Sequence, residues 1–379
     1  MFSPADSDAL HARVRAFIGA SGRGAAAEPF DVLALDLARF QAAHVPAFAR
    51  LVRARGADLA TARSASSIPA VPTDVFRLAR VAAHPPEEDV ALFRTSGTTQ
   101  GARGEHPLRS TATYALAALT WGARFLWPDR VALGALVLAA PLSLQPDSSL
   151  GFMLDLFART LDGPASFHVE PAADGEVRLD LAGIARAAAD ARAAGRPTIV
   201  LATSFALVHL LEQSDGTDLR LPAGSRVMQT GGFKGRSREV EPEALRLLLS
   251  EAFGVPTLHV VGEYGMTELG SQLYEGTLAA AVSAPGTCAA RHGVYAAPPW
   301  VRVAAVDPIS LAPVPLGEVG VARFVDLANV DSAVAVQTAD RVRLVDDGTG
   351  QHGLELLGRL PGALPRGCSV AIDEMLGRP

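Results

Sequence analysis

Three hydroxyl-rich or acidic segments and two isolated nucleophilic or cationic side chains carry the chemistry that this sequence could perform. "FRTSGTTQGARG" crowds Thr95, Ser96, Gly97, Thr98 and Thr99 in front of Arg103. Glycines let backbone approach a ligand, and hydroxyls with exposed N–H groups offer donors to phosphate oxygens without adding charge. The same composition also describes an ordinary turn, and the Walker spacing GxxxxGK[ST] is absent. "EYGMTE" runs from Glu263 to Glu268 directly after the apolar "LHVV", so it falls at the carboxyl end of a parallel strand, where α/β sheets bind ligands. A carboxylate there would hold Mg²⁺ against phosphates, and Tyr264 would stack on a base. Asp340 in "TAD" could accept two hydrogen bonds from a ribose diol, or be an ordinary turn or strand-edge carboxylate. Lys234 in "TGGFKG" is the only lysine among 34 Lys+Arg residues, and a compact ammonium is not interchangeable with guanidinium. Cys368 in "PRGCSV" stands beside Arg366, whose charge would favour the thiolate; a small buried cysteine is the alternative.

The elements that must position these residues follow from periodicity. Residues 1–90 read as a helical region, with apolar spacing in "DALHARVRAFI" and in "DVLALDLARFQAAHVPAFARLV", where Pro46 kinks or ends the helix. Residues 91–297 alternate apolar strand-like runs ("LGALVLAA", "PTIVLAT", "SRVMQTG", "LHVVGEYG") with helical ones stopped at Gly195 and Gly254. That alternation predicts an α/β core with a doubly wound, mostly parallel sheet. Residues 298–360 turn β-rich and suggest a small barrel-like subdomain or antiparallel sheet, and 361–379 form a short tail carrying Cys368.

Composition bounds the rest. With 379 residues, 49% hydrophobic and 20% charged, the chain resembles an ordinary globular protein. A net charge of -6 argues against nucleic acid or an anionic membrane as a partner, since both need a clustered basic face. The longest apolar run, residues 131–141, is too short to span a bilayer, and the N-terminus lacks the order of a secretion signal, so the cytoplasm is the expected location. Two cysteines make no disulfide framework, and His106, His209 and His259 have no metal spacing with them.

In this order, "TSGTT", "YGMTE", "TAD" and the late "GR" at Gly358–Arg359 resemble the motifs of the adenylate-forming superfamily. The text between them ("LATSFALVHLL", "TGGFKG", "EYGMTELGSQLY", "GRLPGALPRGCS") is similar to its acyl-protein synthetase, LuxE-like branch from about residue 90 onward. The resemblance implies the large N-terminal domain type of that superfamily without its usual additional C-terminal domain. It also implies roles. Thr95, Ser96, Gly97, Thr98 and Thr99 would embrace the phosphates of ATP, with Arg103 where the superfamily usually has lysine. Gly231, Gly232, Tyr264 and Gly265 would line the adenine, Thr267 would join the nucleotide site and Glu268 would bind Mg²⁺. Asp340 would hold the ribose and Arg359 would close the site. The superfamily's catalytic lysine lies in the additional domain, so Lys234 is expected to replace it at the α-phosphate. Cys368 matches the acyl-carrying cysteine, and Asn329, the only asparagine, falls in a family-like segment.

The expected function is thus ATP-dependent activation of a small carboxylic acid, fatty or aryl, followed by transfer to a thiol: Cys368, CoA or the phosphopantetheine of an acyl carrier protein, with a reductase or acyltransferase as a further partner. The alternatives are an acyltransferase that moves an acyl group from CoA without adenylation, and a non-catalytic nucleotide- or acyl-binding subunit.

Overall fold

The computed structural model describes residues 2–21, 28–95, 102–171, 177–214, 216–231, 240–284, 290–347, 352–360 and 366–377. Its contacts divide the chain into two compact units, one of Met1–Thr120, Met266–Gln272 and Ala296–Pro379, the other of Trp121–Gly265 and Leu273–Tyr295.

The second unit is the doubly wound one. Parallel strands Ala165–Phe167, Gly134–Leu138, Thr198–Thr203, Arg226–Thr230 and Val260–Tyr264 lie in that order, and Leu273–Glu275 extends the sheet antiparallel. Gly134–Leu138 is buried throughout, which is why it reads as a continuous apolar run rather than an alternating one; Arg226–Thr230 is equally buried although Arg226, Gln229 and Thr230 are polar. The helices between them are set by local chemistry. Side chains of Ser148, Asp180, Thr203 and Glu241 accept the amides of Gly151, Gly183, Ala206 and Ala244 at helix N-termini. Gly195 and Gly254 follow two helix C-termini at φ 59° and 65°, as expected. Ile184, Leu207, Leu245, Leu249 and Phe253 from the helices pack on Leu136, Val200, Val227 and Val260 of the sheet.

The first unit opens with helices Pro4–Ser21, Phe30–His44 and Pro46–Ala54. Pro46 occupies the first turn of the third helix, where its missing N–H costs nothing, so the chain breaks at Val45. Beyond Ala54 the helical expectation fails. Residues 55–90 hold only short 3₁₀ turns and a two-residue strand, Val71–Pro72, because Pro69, Pro72, Pro85 and Pro86 interrupt any longer helix. The β-rich region is an antiparallel sheet, Val301–Val306, Val319–Asp326, Ala335–Asp346 and His352–Arg359, with Val71–Pro72 added parallel to the third strand. No closed barrel forms among the described residues, which corrects the barrel-like expectation. The C-terminal segment is a helix, Arg366–Leu376, lying on Pro46–Ala54, with Arg50 Nε donating to Met375 O at 2.6 Å.

Candidate functional site

In the first unit Ala91–Arg94 and Glu105–Leu108, which flank the hydroxyl-rich segment in the sequence, pair antiparallel as a hairpin. Ser96, Gly97, Thr98 and Thr99 lie outside the described residues; Thr95 and Gly104 form the neck of the hairpin. Thr95 N donates to Gly104 O at 2.9 Å and Gly104 N returns to Thr95 Oγ1 at 2.9 Å. Arg103 Nε donates to Thr95 O at 2.7 Å and its terminal nitrogen to Arg94 O at 3.2 Å, so the guanidinium braces the neck. Phe93 and His106 are opposite partners in the hairpin.

Thr267 and Glu268 sit in the same unit, in a segment without helix or strand. Glu268 is only 8% exposed. Two buried side chains take the carbonyls of this pair: His106 Nδ1 meets Thr267 O at 2.6 Å, and Asn329 Nδ2 donates to Glu268 O at 2.8 Å. His106 Nε2 meets Ser332 Oγ at 2.8 Å. Burial pushes the imidazole down to about 4, so it is neutral at physiological pH. Further along the segment, Ser271 Oγ donates to Asp326 Oδ1 at 2.8 Å and accepts from Trp300 Nε1 at 3.0 Å. Burial pushes Asp326 up to about 6, against the hydrogen bonds of Ser271 and Ala328. Gln41, fully buried on the second helix, donates to Asn329 O and Val330 O and accepts from Val334 N, which fixes the loop that carries Asn329.

Asp340 is not in a turn. It lies within the Ala335–Asp346 strand at a register shift, opposite Arg359, whose Nε is 4.0 Å from Asp340 Oδ1. The structure therefore brings these two predicted residues together through strand pairing. Cys368 lies in the C-terminal helix and is 2% exposed. Burial pushes its thiol up to about 11, with only partial relief from Arg55, so it is protonated in this state. Beside it the helix approaches Leu311 closely, since a Cβ at Gly367 would lie 2.8 Å from Leu311 Cγ.

In the second unit Gly231 follows the Arg226–Thr230 strand at φ 73°, and Tyr264 ends the neighbouring Val260–Tyr264 strand, its ring 6.4 Å from that of Tyr295. Gly232 and Lys234 lie outside the described residues. Thr230 and Glu263 are register partners at the carboxyl ends of these strands, and Thr230 Oγ1 donates to Glu263 Oε2. Burial pushes Glu263 up to about 7, against the Thr230 hydrogen bond. On the adjoining Leu273–Glu275 strand, Glu275 accepts from Arg246 at 2.8 Å, from Gly262 N at 2.7 Å and from Gly293 N at 2.5 Å. His259, which precedes the Val260–Tyr264 strand, bonds Ser225 O at 3.0 Å.

Sequence reasoning missed His106 and the Thr230–Glu263 pair. His106 stands only two residues beyond the hairpin neck, but nothing local shows that it reaches a segment 161 residues away. Glu263 was visible as part of "EYGMTE"; its lack of a cationic partner among the described residues was not.

No group of three or more His, Cys, Asp or Glu side chains among the described residues is arranged to hold a metal alone. A Mg²⁺ arriving on nucleotide phosphates takes most of its ligands from phosphate and water, so one carboxylate such as Glu268 suffices. No helix among the described residues is long and apolar enough to cross a membrane.

Solved structures of 2-hydroxyisobutyryl-CoA ligase share this fold. An open conformation in complex with 2-HIB-AMP and CoA matches with a TM-score of 0.62 at 15% identity, over 87% of this chain and 74% of that one. A postadenylation state in complex with 2-HIB-AMP matches at 0.63 and 16%, over 87% and 68%. A thioesterification state with 2-HIB-AMP and CoA matches at 0.62 and 15%, over 95% and 69%. No curated protein sequence matches the chain significantly. The family model of acyl-protein synthetase, LuxE, matches residues 165–377. That match spans more than half of the chain, so the chain belongs to the LuxE acyl-protein synthetase family of enzymes.

Proposed function

We propose that the enzyme activates a carboxylic acid with ATP and passes the acyl group to a thiol. A carboxylate oxygen attacks the α-phosphorus, the bond to the bridging oxygen of the β-phosphate breaks, and pyrophosphate leaves. A thiolate sulfur then attacks the acyl carbon and AMP leaves with the electron pair of the broken C–O bond. The observation that carries this reading is the tie, within one compact unit, between the Thr95–Gly104 hairpin neck and the Thr267–Glu268 pair through His106. A phosphate-binding turn and an acidic residue are the two parts that a nucleotide with its magnesium needs.

The other roles follow the family resemblance. Asp340 binds the ribose, with Arg359 beside it. Tyr264, Gly231 and Gly265 serve the adenine. Glu268 takes the Mg²⁺, which neutralises phosphate charge when bound. Lys234, the chain's single ammonium side chain, stabilises charge at the α-phosphate. The acid is small, in keeping with the 2-HIB-AMP held by the ligase of like fold. For the acceptor, CoA or a carrier phosphopantetheine suits the described state better than Cys368, whose thiol is buried and protonated. Acylation of Cys368 requires the C-terminal helix to shift first.

ATP–pyrophosphate exchange over a panel of short, fatty and aryl acids tests the reading, with Lys234→Ala and Cys368→Ala run beside the wild type. Exchange that depends on the acid, collapses in Lys234→Ala and persists in Cys368→Ala supports it. Exchange undiminished in Lys234→Ala removes the lysine from the first step. Binding of ATP without exchange for any acid favours a binding subunit, and acyl transfer from CoA without exchange favours an acyltransferase.

A further inference from the structure

The Met266–Gln272 segment has no ladder to hold it, and the backbone bond described within it is a single turn, Leu269 N to Met266 O at 3.2 Å. The direction of the Glu268 side chain depends on the two peptide planes that flank its Cα, because with both planes fixed φ and ψ are fixed and the Cα–Cβ bond has one direction. The carbonyl of the preceding plane is Thr267 O, and that of the following plane is Glu268 O. Each is held by a different buried side chain, His106 at 2.6 Å and Asn329 at 2.8 Å.

Neither anchor is free to turn. A carbonyl can only accept, so the proton of His106 is on Nδ1 and Nε2 accepts from Ser332 Oγ; the ring also packs edge-on against Phe76 at 5.6 Å. The second hydrogen of Asn329 Nδ2 goes to Ala333 O at 2.9 Å, while Oδ1 is buried with no partner among the described residues. Every described hydrogen bond of the Asn329 side chain is thus made by its amide nitrogen. His106 moreover belongs to the return strand of the hairpin whose neck is Thr95–Gly104, so the hairpin and Glu268 share one anchor.

We propose that His106 and Asn329 are positioning residues of the nucleotide site, which aim the Glu268 carboxylate relative to the Thr95–Gly104 neck of the hairpin by clamping the carbonyls on either side of it. This rests on the reading of Glu268 as the residue that meets Mg²⁺ on ATP. His106 itself touches neither nucleotide nor metal. A merely structural histidine would serve the fold through either ring nitrogen; a positioning one must present a donor at Nδ1.

Asparagine places its amide nitrogen near the Nδ1 position and glutamine near Nε2, so His106→Asn and His106→Gln separate the two roles. Equilibrium binding of ATP by calorimetry, at a series of Mg²⁺ concentrations, is measured beside the thermal midpoint and ATP–pyrophosphate exchange. His106→Asn is expected to keep the wild-type Mg²⁺ dependence. His106→Gln is expected to raise the Mg²⁺ concentration for half-maximal ATP binding by roughly tenfold, the scale of one lost hydrogen bond, at a melting temperature like that of His106→Asn. Asn329→Asp, which replaces the donor by an acceptor, should shift the same quantity in the same direction. Equal Mg²⁺ dependence in His106→Asn and His106→Gln would overturn the proposal while leaving the enzymatic reading intact. A wild type that binds no ATP would defeat that reading, and the positioning role with it.

Discussion

Cys368 shows how one position can carry two opposite readings. Beside Arg366 in the sequence it looks like an activated thiolate; in the fold it is 2% exposed and its thiol is pushed up to about 11. With the chain's other cysteine, Cys288, replaced by serine, Cys368 should therefore react with iodoacetamide at neutral pH far more slowly than in the denatured chain, by at least about a hundredfold from the pKa alone. Native labelling as fast as in denaturant would show that the helix opens freely. Glu263 gives a pH prediction. Its folded value of about 7 lies above the ordinary 4.5, so between these values the folded chain holds a proton that the unfolded chain has lost. Its contribution to stability is full below pH 4.5 and is lost as the pH rises through 7. Glu263→Gln abolishes this dependence, and the stability difference between variant and wild type should change by on the order of 3 kcal/mol from pH 4 to pH 8 in urea titrations. Parallel curves would refute the raised pKa. Asp326, up at about 6, titrates in both proteins and cancels in the difference.

At the scale of elements, the strand that ends in Tyr264 is held by a buried ion pair. Arg246 on the Pro242–Phe253 helix donates to Val260 O at 2.5 Å and to Glu275 at 2.8 Å, and Glu275 also takes the amides of Gly262 and Gly293. Removing one partner leaves a buried charge, so Arg246→Met should lower stability by about 3–5 kcal/mol. In many proteins replacing both partners restores stability. Here the double variant Arg246→Met, Glu275→Leu should recover little, because two backbone amides lose their acceptor; a full recovery in denaturant titrations would contradict that. Gly262 belongs to the same cluster, since a Cβ there would lie 2.7 Å from Tyr295 Oη and 2.9 Å from Glu275 Cδ, and Gly262→Ala should destabilise the chain comparably to other overpacked core sites, about 1–3 kcal/mol. The elements themselves were largely legible. Caps at Ser148, Asp180 and Thr203 and stops at Gly195 and Gly254 act within a few residues, so their chemistry is written in sequence. Whether four β-rich segments close into a barrel depends on pairing between distant strands, and here they stay open among the described residues.

At the scale of the molecule, Met266–Gln272 is seven residues of the first unit set between two strands of the second. Its partners His106, Asn329, Asp326 and Trp300 all belong to the first unit. A fragment of residues 121–295 should therefore be cleaved by protease within 266–272 at least about tenfold faster than the intact chain, as expected when buried hydrogen bonds no longer oppose local opening; equal protection would show that the segment is held from within its own fragment. The sequence by itself determined the helices and strands of the α/β unit and the motifs of a nucleotide-using acyl-protein synthetase, because caps, hydrophobic runs and short motifs are local patterns. It also singled out Lys234 and Asn329 by their rarity. Only the tertiary structure decided that Asn329 clamps Glu268, that His106 joins it, that Glu263 lacks a counter-ion among the described residues and that Cys368 is covered. Each of these is a matter of burial and of contacts across tens to hundreds of residues, and solvation and long-range pairing leave no local signature in a chain.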